Sequence, residues 1–285
     1  MEYFYVKNIL SFYSISLSRS AASYRGLVQV SYWLWLQALV IGITFQTDRL
    51  WVSAYSGLKE VSRYGLVSTM FNHIHMIFIA TVTWIFPRIS SMKSRGHDPF
   101  EFYTLIRSGF MGFTIISLLF FLFVSPFVFP LWIGADTYNH LRDYIKAFVC
   151  FEILFVHTIL PFFYLNAVGK ERQAAAMAFM YCFLCYSFML IGLWLFHNPI
   201  DMINAMTISL CITMPVINIS IQKSIQKNSS WVTGLYEMTP MYASVLLIYS
   251  QNVWLFVLFA ILVLLLLWKY YISYVFKNSV WKQLA

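Results

Sequence analysis

The residues most capable of chemistry in this sequence are charged and polar side chains that interrupt long apolar runs. Glu152 and His157 lie in one such run, and Asn72, His73 and His75 lie in another. A carboxylate inside an apolar segment is by default a functional hypothesis, because it can carry a proton or pair with a cation on a neighbouring helix. Two interpretations of Glu152 are therefore open, a coupling or substrate-contacting group and a structural pair.

Helical geometry limits which of these side chains can act together. His73 and His75 are two residues apart, so on a helix they point about 200° apart and cannot chelate one ion. Glu152 and His157 are five residues apart, about 140° in direction, so they are not expected to pair with each other. The sequence therefore predicts no metal site in these runs.

A polar stripe is predicted on the helix that carries the two histidines. Ser68, Asn72 and His75 lie within about 60° of one another on a helix. The stripe could form hydrogen bonds to a neighbouring helix, or it could line a cavity that faces a substrate. Both interpretations remain open at this stage.

A charged pair, Asp48 and Arg49, ends another apolar run. Each charge costs about 2.5 to 3.5 kcal/mol at the centre of a bilayer, so charges are tolerated mainly in a bundle interior or near an interface. The junction is either a functional element or an interfacial pair that fixes the depth of the helix.

Composition places these residues in a membrane protein. Of 285 residues, 60% are hydrophobic and only 11% are charged, and the mean hydropathy is +0.70. A soluble domain needs more surface charge than this. Because the apolar runs are continuous over about twenty residues, they favour helices over the shorter alternating strands of a β-barrel. The predicted fold class is all-α, a polytopic membrane protein.

About eight transmembrane helices are predicted, in three parts of the chain. Residues 1–26 form an amphipathic segment on the membrane surface, 27–221 a bundle of six spans, and 222–285 two additional spans and a tail. The predicted spans are 27–46, 64–87, 109–132, 147–168, 174–196, 202–221, 235–250 and 253–276. Pro161 is expected to kink the fourth span. The sixth carries a predicted packing seam of small and polar residues: Asn204, Thr207, Cys211, Met214 and Asn218.

The distribution of basic residues predicts the orientation. With these spans, 14 of the 19 Lys and Arg residues fall on one side, together with both termini. The positive-inside rule then makes both termini cytoplasmic. The same distribution explains the net charge of +8 through membrane-flanking loops, so no nucleic-acid partner is predicted.

The usual signatures of enzymes do not occur in the sequence. There is no nucleophile elbow, Walker loop, paired acidic cluster or dinucleotide fingerprint. All four cysteines fall inside apolar runs, which indicates packing and not redox chemistry. No enzymatic activity and no cofactor are predicted.

Five short features at the ends of the apolar runs occur in a characteristic order. They are Asp48, Arg49 and Leu50; Tyr64; Phe86, Pro87, Arg88, Ile89 and Ser90; Leu131, Trp132, Ile133 and Gly134; and, after Pro161, Gly169, Lys170, Glu171 and Arg172. In this order they resemble the polysaccharide transporter family, the O-antigen and exopolysaccharide flippases of the multidrug/oligosaccharidyl-lipid/polysaccharide exporter superfamily. The resemblance covers roughly residues 27–221.

The resemblance implies a fold and a function. Family members have two helical bundles around a central cavity, and this chain resembles the second bundle of such a MATE-like fold, plus two extra helices. The implied activity is translocation of an undecaprenyl-diphosphate-linked oligosaccharide across the bacterial inner membrane by alternating access. The chain departs from the family in lacking the first bundle, which fits a truncated product, a fragment or a half that needs a partner. It also has Ser62 where the family often has glycine.

The resemblance also implies site residues and partners. Arg49 would attract the diphosphate or acidic sugars, with Asp48 as its neutralising neighbour, because a guanidinium matches phosphate oxygens by bidentate geometry. Implied partners are the lipid-linked oligosaccharide, membrane lipids, and the polymerase and glycosyltransferases of the same pathway. The complete predicted translocation site is Arg49, Asp48, Asn72, His75, Glu152 and His157.

Three alternatives remain open from the sequence. A cation-coupled multidrug exporter of the same superfamily would make use of Glu152. A membrane-embedded acyltransferase would use His73, His75 or His157 beside an acidic or asparagine partner. A polysaccharide polymerase would need a large periplasmic loop, which the predicted connections do not provide.

Overall fold

The computed structural model describes residues 21–225 and 231–250, and every regular element in these two ranges is helical. In a bilayer only helices and closed barrels pair all backbone polar groups, so the long apolar runs fold this way. The α-helices are α1 (Ala21–Gln46), α2 (Asp48–Ser56), α3 (Leu58–Val82), α4 (Ile85–Ser94), α5 (Phe100–Ile133), α6 (Ala135–Phe155), α7 (Ile159–Ala167), α8 (Glu171–Phe196), α9 (Pro199–Ile225) and α10 (Trp231–Ser250).

Within residues 21–225 and 231–250, six segments are long and apolar enough to cross a membrane. They are Val28–Ser56, Leu58–Ser94, Phe100–Ile133, Ala135–Ala167, Glu171–Phe196 and Pro199–Gln222. This confirms the all-α, polytopic membrane class, and each segment overlaps one of the six spans predicted for 27–221. The predicted seventh span lies in α10, whose apolar part, Met238–Tyr249, is shorter. The predicted eighth span, 253–276, and residues 1–20 lie outside the described residues.

The helices run further than the predicted spans, because amphipathic segments at the bundle ends continue them. The connection expected at 133–146 is helical from Ala135 onward, and Gly134 alone separates α5 from α6. Gly134 has φ 85°, which a glycine adopts without strain, so the chain can reverse at one residue. Tyr138, Leu141 and Ile145 then bury the inner face of the first turns of α6.

The connections alternate between two ends of the bundle. We call the end with connections 95–99 and 168–170 the basic end, and the end with Gly57, Gly134 and 197–198 the opposite end. At the opposite end, the Ser56 hydroxyl donates to the His197 carbonyl oxygen at 3.0 Å. The Tyr144 hydroxyl donates to Glu60 at 2.5 Å, which joins α6 to α3. Both hydrogen bonds join helix ends that the predicted alternation of connections places on the same side of the bundle.

The fourth span, α6 with α7, is the centre of the bundle. In the apolar 18-residue stretch of this span, 83% of the residues are buried inside the bundle, compared with 11% in the corresponding stretch of the first span. Helices α3, α5, α9 and α10 all pack against α6. Neighbouring helices therefore cover most of the surface of this span.

The central span is interrupted where the sequence predicts a kink. A 3₁₀ turn, Val156–Thr158, separates α6 from α7, and it begins five residues before Pro161. Proline lacks the backbone N–H that would bond the carbonyl four residues earlier, and its ring crowds that carbonyl. That carbonyl belongs to His157, inside the 3₁₀ turn. The break is therefore a direct consequence of Pro161.

The predicted seam on the sixth span packs against neighbouring helices. The Tyr242 hydroxyl of α10 donates to the Cys211 carbonyl oxygen at 2.9 Å. The Tyr249 hydroxyl of α10 donates to Asn204. Thr207 is fully inside the bundle, 3% exposed. The structural interpretation of this seam is confirmed.

Gly192 on α8 marks the closest approach between two helices. A Cβ atom at Gly192 would lie 2.9 Å from the Ala205 Cβ and 3.1 Å from the Met202 Cα of α9. Gly192→Val is expected to destabilise the protein by about 1–3 kcal/mol, because the α8–α9 backbone contact cannot absorb a side chain. The measurement is the thermal unfolding temperature of Gly192→Val and of the wild type in detergent.

The matched control for this prediction is Gly109→Val in α5, where a Cβ meets nothing within 4 Å. We expect this variant to unfold at the wild-type temperature or slightly above it, since glycine is a poor helix former. Equal destabilisation by both variants would contradict close packing at Gly192.

Candidate functional site

A buried ion-pairing contact joins the second and fourth spans. Glu152 of α6 is 2% exposed, and its Oε1 lies 2.7 Å from Nδ1 of His75 on α3. The side chain of His75 is 17% exposed, so the imidazole lies at the edge of the bundle interior. The predicted partner of Glu152 on a neighbouring helix is therefore His75.

Aromatic rings surround the His75–Glu152 pair. Phe155 stacks on the His75 imidazole with centroids 4.5 Å apart, and it also contacts Phe45 and Phe151. Such an environment excludes water and strengthens a hydrogen bond between polar groups. Glu152 lies 17 residues after the start of its 33-residue segment, so the pair is well inside the bundle along its length.

The outward side of α3 carries a second group of polar side chains. Ser62, Thr69, Asn72 and His73 are all exposed and lie within an arc of about 100°. We call these four residues the α3 polar face. Among the described residues no hydrogen-bond partner reaches Asn72 or His73. Asn72 lies about 21 Å along the helix from Leu58, well inside the span.

Arg49 extends the α3 polar face toward the opposite end. Its guanidinium donates to the Thr69 hydroxyl at 2.7 Å and to the Ser68 hydroxyl at 3.3 Å. The side chain is otherwise exposed. These contacts hold the positive charge beside the polar face and leave further N–H donors for a ligand, because a guanidinium has five.

Asp48 turns inward, away from Arg49. Its Oδ2 accepts a 2.5 Å hydrogen bond from the buried Tyr64 hydroxyl, and its Oδ1 accepts one from the Arg49 backbone N–H at 2.7 Å. The carboxylate thus caps the first turn of α2 and ties it to α3. The hydrogen bonds of the carboxylate go to Tyr64 and the backbone, and the predicted neutralisation of the neighbouring Arg49 charge stays a prediction.

Tyr64→Phe tests this structural role of Asp48. Removing the hydroxyl leaves the buried carboxylate short of a donor, which costs about 1–3 kcal/mol. We expect a lower unfolding temperature in detergent, while Tyr24→Phe, at a tyrosine that is 73% exposed, should leave it unchanged. If Tyr64→Phe and Tyr24→Phe unfolded at the same temperature, the hydrogen bond from Tyr64 to Asp48 would contribute nothing to stability.

His157 lies apart from the other predicted site residues. Its Nε2 is 3.4 Å from the Thr114 hydroxyl of α5, and its ring meets Phe110 edge-on. It also borders a cavity of about 20 Å³, large enough for one water molecule. The structure therefore does not bring His157 to the His75–Glu152 pair. On the central span, Glu152 contacts His75 of α3, whereas His157 contacts Thr114 of α5.

Arg107 is a residue that sequence reasoning counted only as a loop charge. Because α5 begins at Phe100, Arg107 lies in its second turn and donates to the buried Asn218 of α9. Its guanidinium also lies 5.7 Å from the centroid of the Tyr103 ring. The signal that could have identified it is the four-residue spacing of Tyr103 and Arg107 just before an apolar run.

The six predicted site residues therefore fall into four places. Arg49 and Asn72 lie on or beside the α3 polar face, His75 and Glu152 form a buried pair next to it, and Asp48 and His157 each lie elsewhere. No group of three or more His, Cys, Asp or Glu side chains that could hold a metal ion occurs in the described parts of the chain. The arrangement suits proton transfer and anion contact.

Comparisons with family models, with curated proteins and with solved structures find no match to this chain.

Proposed function

We propose that this protein forms a helical bundle of a lipid-linked oligosaccharide translocase that works by alternating access. The observation that carries the proposal is the α3 polar face, exposed inside the second span, with the buried His75–Glu152 pair beside it. The order of short features in the sequence, which resembles polysaccharide flippases, supports the same function. In this proposal the basic end faces the cytoplasm of a bacterial inner membrane.

The exposed side of α5 shows what a lipid-facing surface of this bundle looks like. Its exposed residues are apolar over successive turns: Phe113, Ile116, Phe120, Phe123 and Phe127. The corresponding turns of α3 present an amide, an imidazole and a hydroxyl beside Leu66 and Met76. The hydroxyls of Ser62 and Thr69 bond to backbone carbonyls of their own helix, but Asn72 and His73 have no partner among the described residues. Such groups are costly against hydrocarbon, so in this proposal the α3 polar face borders water or polar substrate.

The proposed substrate contact is anionic. Arg49 is held by two hydroxyls and keeps donors directed outward, a geometry that suits a diphosphate or an acidic sugar. The uncharged groups of the α3 polar face then provide hydrogen bonds for sugar hydroxyls.

The His75–Glu152 pair provides the conformational coupling. It is one of two described side-chain hydrogen bonds between α3 and α6, the other being Tyr144–Glu60, and Glu152 lies four residues before the Val156–Thr158 turn. Adding a proton to this pair changes its charge inside an aromatic shell, which alters how strongly α3 is held against α6. The nearby break in the central span allows its two halves to move separately.

Reconstitution of the full chain into liposomes tests the substrate. We expect protein-dependent movement of a fluorescent undecaprenyl-diphosphate-linked oligosaccharide between leaflets, measured by accessibility to a membrane-impermeant quencher. An uncharged lipid of the same chain length should not move. Absence of movement of the charged lipid, with the protein folded, would contradict the proposed function.

The alternative that one observation favours is a cation-coupled multidrug exporter. The buried His75–Glu152 pair suits proton coupling to any substrate, and a cationic drug would not need Arg49. Uptake of a cationic dye by everted vesicles, with no movement of the oligosaccharide lipid, would favour this alternative.

A further inference from the structure

A cavity of about 340 Å³ lies at the basic end of the bundle. It is formed by the end of α4, connection 95–99, the end of α7 and connection 168–170. Four of the membrane-crossing segments begin or end there, which places the cavity at the membrane–water boundary. It shares no lining residue with the α3 polar face or the His75–Glu152 pair.

The cavity wall carries an excess of positive charge. Lys93, His97 and Lys170 line it, and Asp98 is the acidic residue among them. The Asp98 Oδ1 accepts a hydrogen bond from the Phe100 backbone N–H at 3.0 Å, so this carboxylate is engaged in the first turn of α5. The two lysines exceed the one carboxylate in this wall, so its net charge attracts an anion from either the lipid surface or water.

The remaining wall of the cavity is apolar and buried. Tyr164 is 2% exposed, and Pro99 is also buried, while Val168 is half-buried. The two connections that shape the opening each turn at a glycine with φ 78°, Gly96 and Gly169. A basic rim over an apolar floor at the membrane boundary matches a molecule with a charged head and an apolar stem.

We propose that this cavity binds the phosphate headgroup of an anionic membrane lipid, with Lys93 and Lys170 contacting the phosphate oxygens. The glycerol and the first acyl carbons lie against Tyr164 and Val168. Inorganic phosphate shares the anionic chemistry but lacks the stem, so it binds more weakly. The site follows from the membrane location of the bundle and does not depend on what the protein translocates.

The test uses the purified full chain in nanodiscs of phosphatidylcholine, with short-chain phosphatidylglycerol as the probe and native mass spectrometry as the readout. We expect saturable binding of the probe, weakened about tenfold by the double substitution Lys93→Gln and Lys170→Gln. Arg172→Gln, an exposed cation two residues beyond Lys170 that does not line the cavity, should bind like the wild type.

Two further measurements test whether the cavity itself binds the probe and whether the lipid stem contributes to binding. His97→Gln, at an exposed connection residue, provides a variant whose folding is not in question, and it should weaken binding by a smaller factor. Inorganic phosphate should compete with the probe only at much higher concentration. Binding that survives the double substitution, that is lost equally in Arg172→Gln, or that inorganic phosphate matches in affinity would overturn the proposal.

Discussion

Glu152→Gln is expected to lower the translocation rate by about a hundredfold or more, because an amide keeps the size and a hydrogen bond to His75 but cannot carry the proton. The carboxylate is 2% exposed and 2.7 Å from the imidazole, so no other described group can replace it at that position. The measurement is the initial rate of oligosaccharide-lipid movement in proteoliposomes.

The control for this prediction is Asp143→Asn on the same helix. Asp143 is exposed and lies 3.8 Å from Lys146 in a surface pair, and such pairs contribute little. The same change of charge should therefore leave the translocation rate unchanged. Full activity of Glu152→Gln would show that the pair only stabilises the bundle. If Glu152→Gln and Asp143→Asn both lost translocation activity, the cause would be a general effect of removing negative charge from α6.

Arg49→Ala is expected to lower the translocation rate of a diphosphate-linked substrate by about a hundredfold, since the guanidinium is the cation beside the α3 polar face. Arg49→Lys should recover part of the rate, because an ammonium keeps the charge but not the bidentate geometry. The effect should appear mainly as a higher substrate concentration for half-maximal rate.

The matched control is Arg142→Ala, an exposed arginine at the same end of the bundle. Its removal changes the net charge equally and should not alter the rate. If the Arg49 and Arg142 variants behaved alike, the role of Arg49 would be general attraction of anions to that membrane surface. If Arg49→Ala only lowered the unfolding temperature, its bonds to Ser68 and Thr69 would be structural.

Much of the fold follows from the sequence because a bilayer restricts the choices. Continuous apolar runs of about twenty residues must form helices, and Pro161 must disturb the helix at the carbonyl four residues earlier. The observed six spans and the Val156–Thr158 turn agree with these rules. The ends of the helices are harder to predict from the sequence, because amphipathic segments such as 135–146 continue a helix without being apolar.

The candidate site was only partly predictable. Angular spacing on one helix correctly separated Glu152 from His157, but no rule for a single helix identifies which neighbour a side chain will meet. The His75–Glu152 bond depends on how α3 packs against α6, and the Arg107–Asn218 bond depends on α5 beginning at Phe100. Such pairs join residues far apart in the chain, so only tertiary structure reveals them.

The most direct test of the account is whether the α3 polar face borders water inside the membrane. Asn72→Cys should react with a water-soluble maleimide at least about tenfold faster than Phe120→Cys, which replaces a 65% exposed side chain on the apolar side of α5. The native cysteines Cys150, Cys182 and Cys185 are buried, and the half-buried Cys211 is replaced by alanine in both variants to keep the background low. Faster labelling at position 72 is the result predicted here, and equally slow labelling at both positions would show that the α3 polar face meets lipid and would contradict the translocation path.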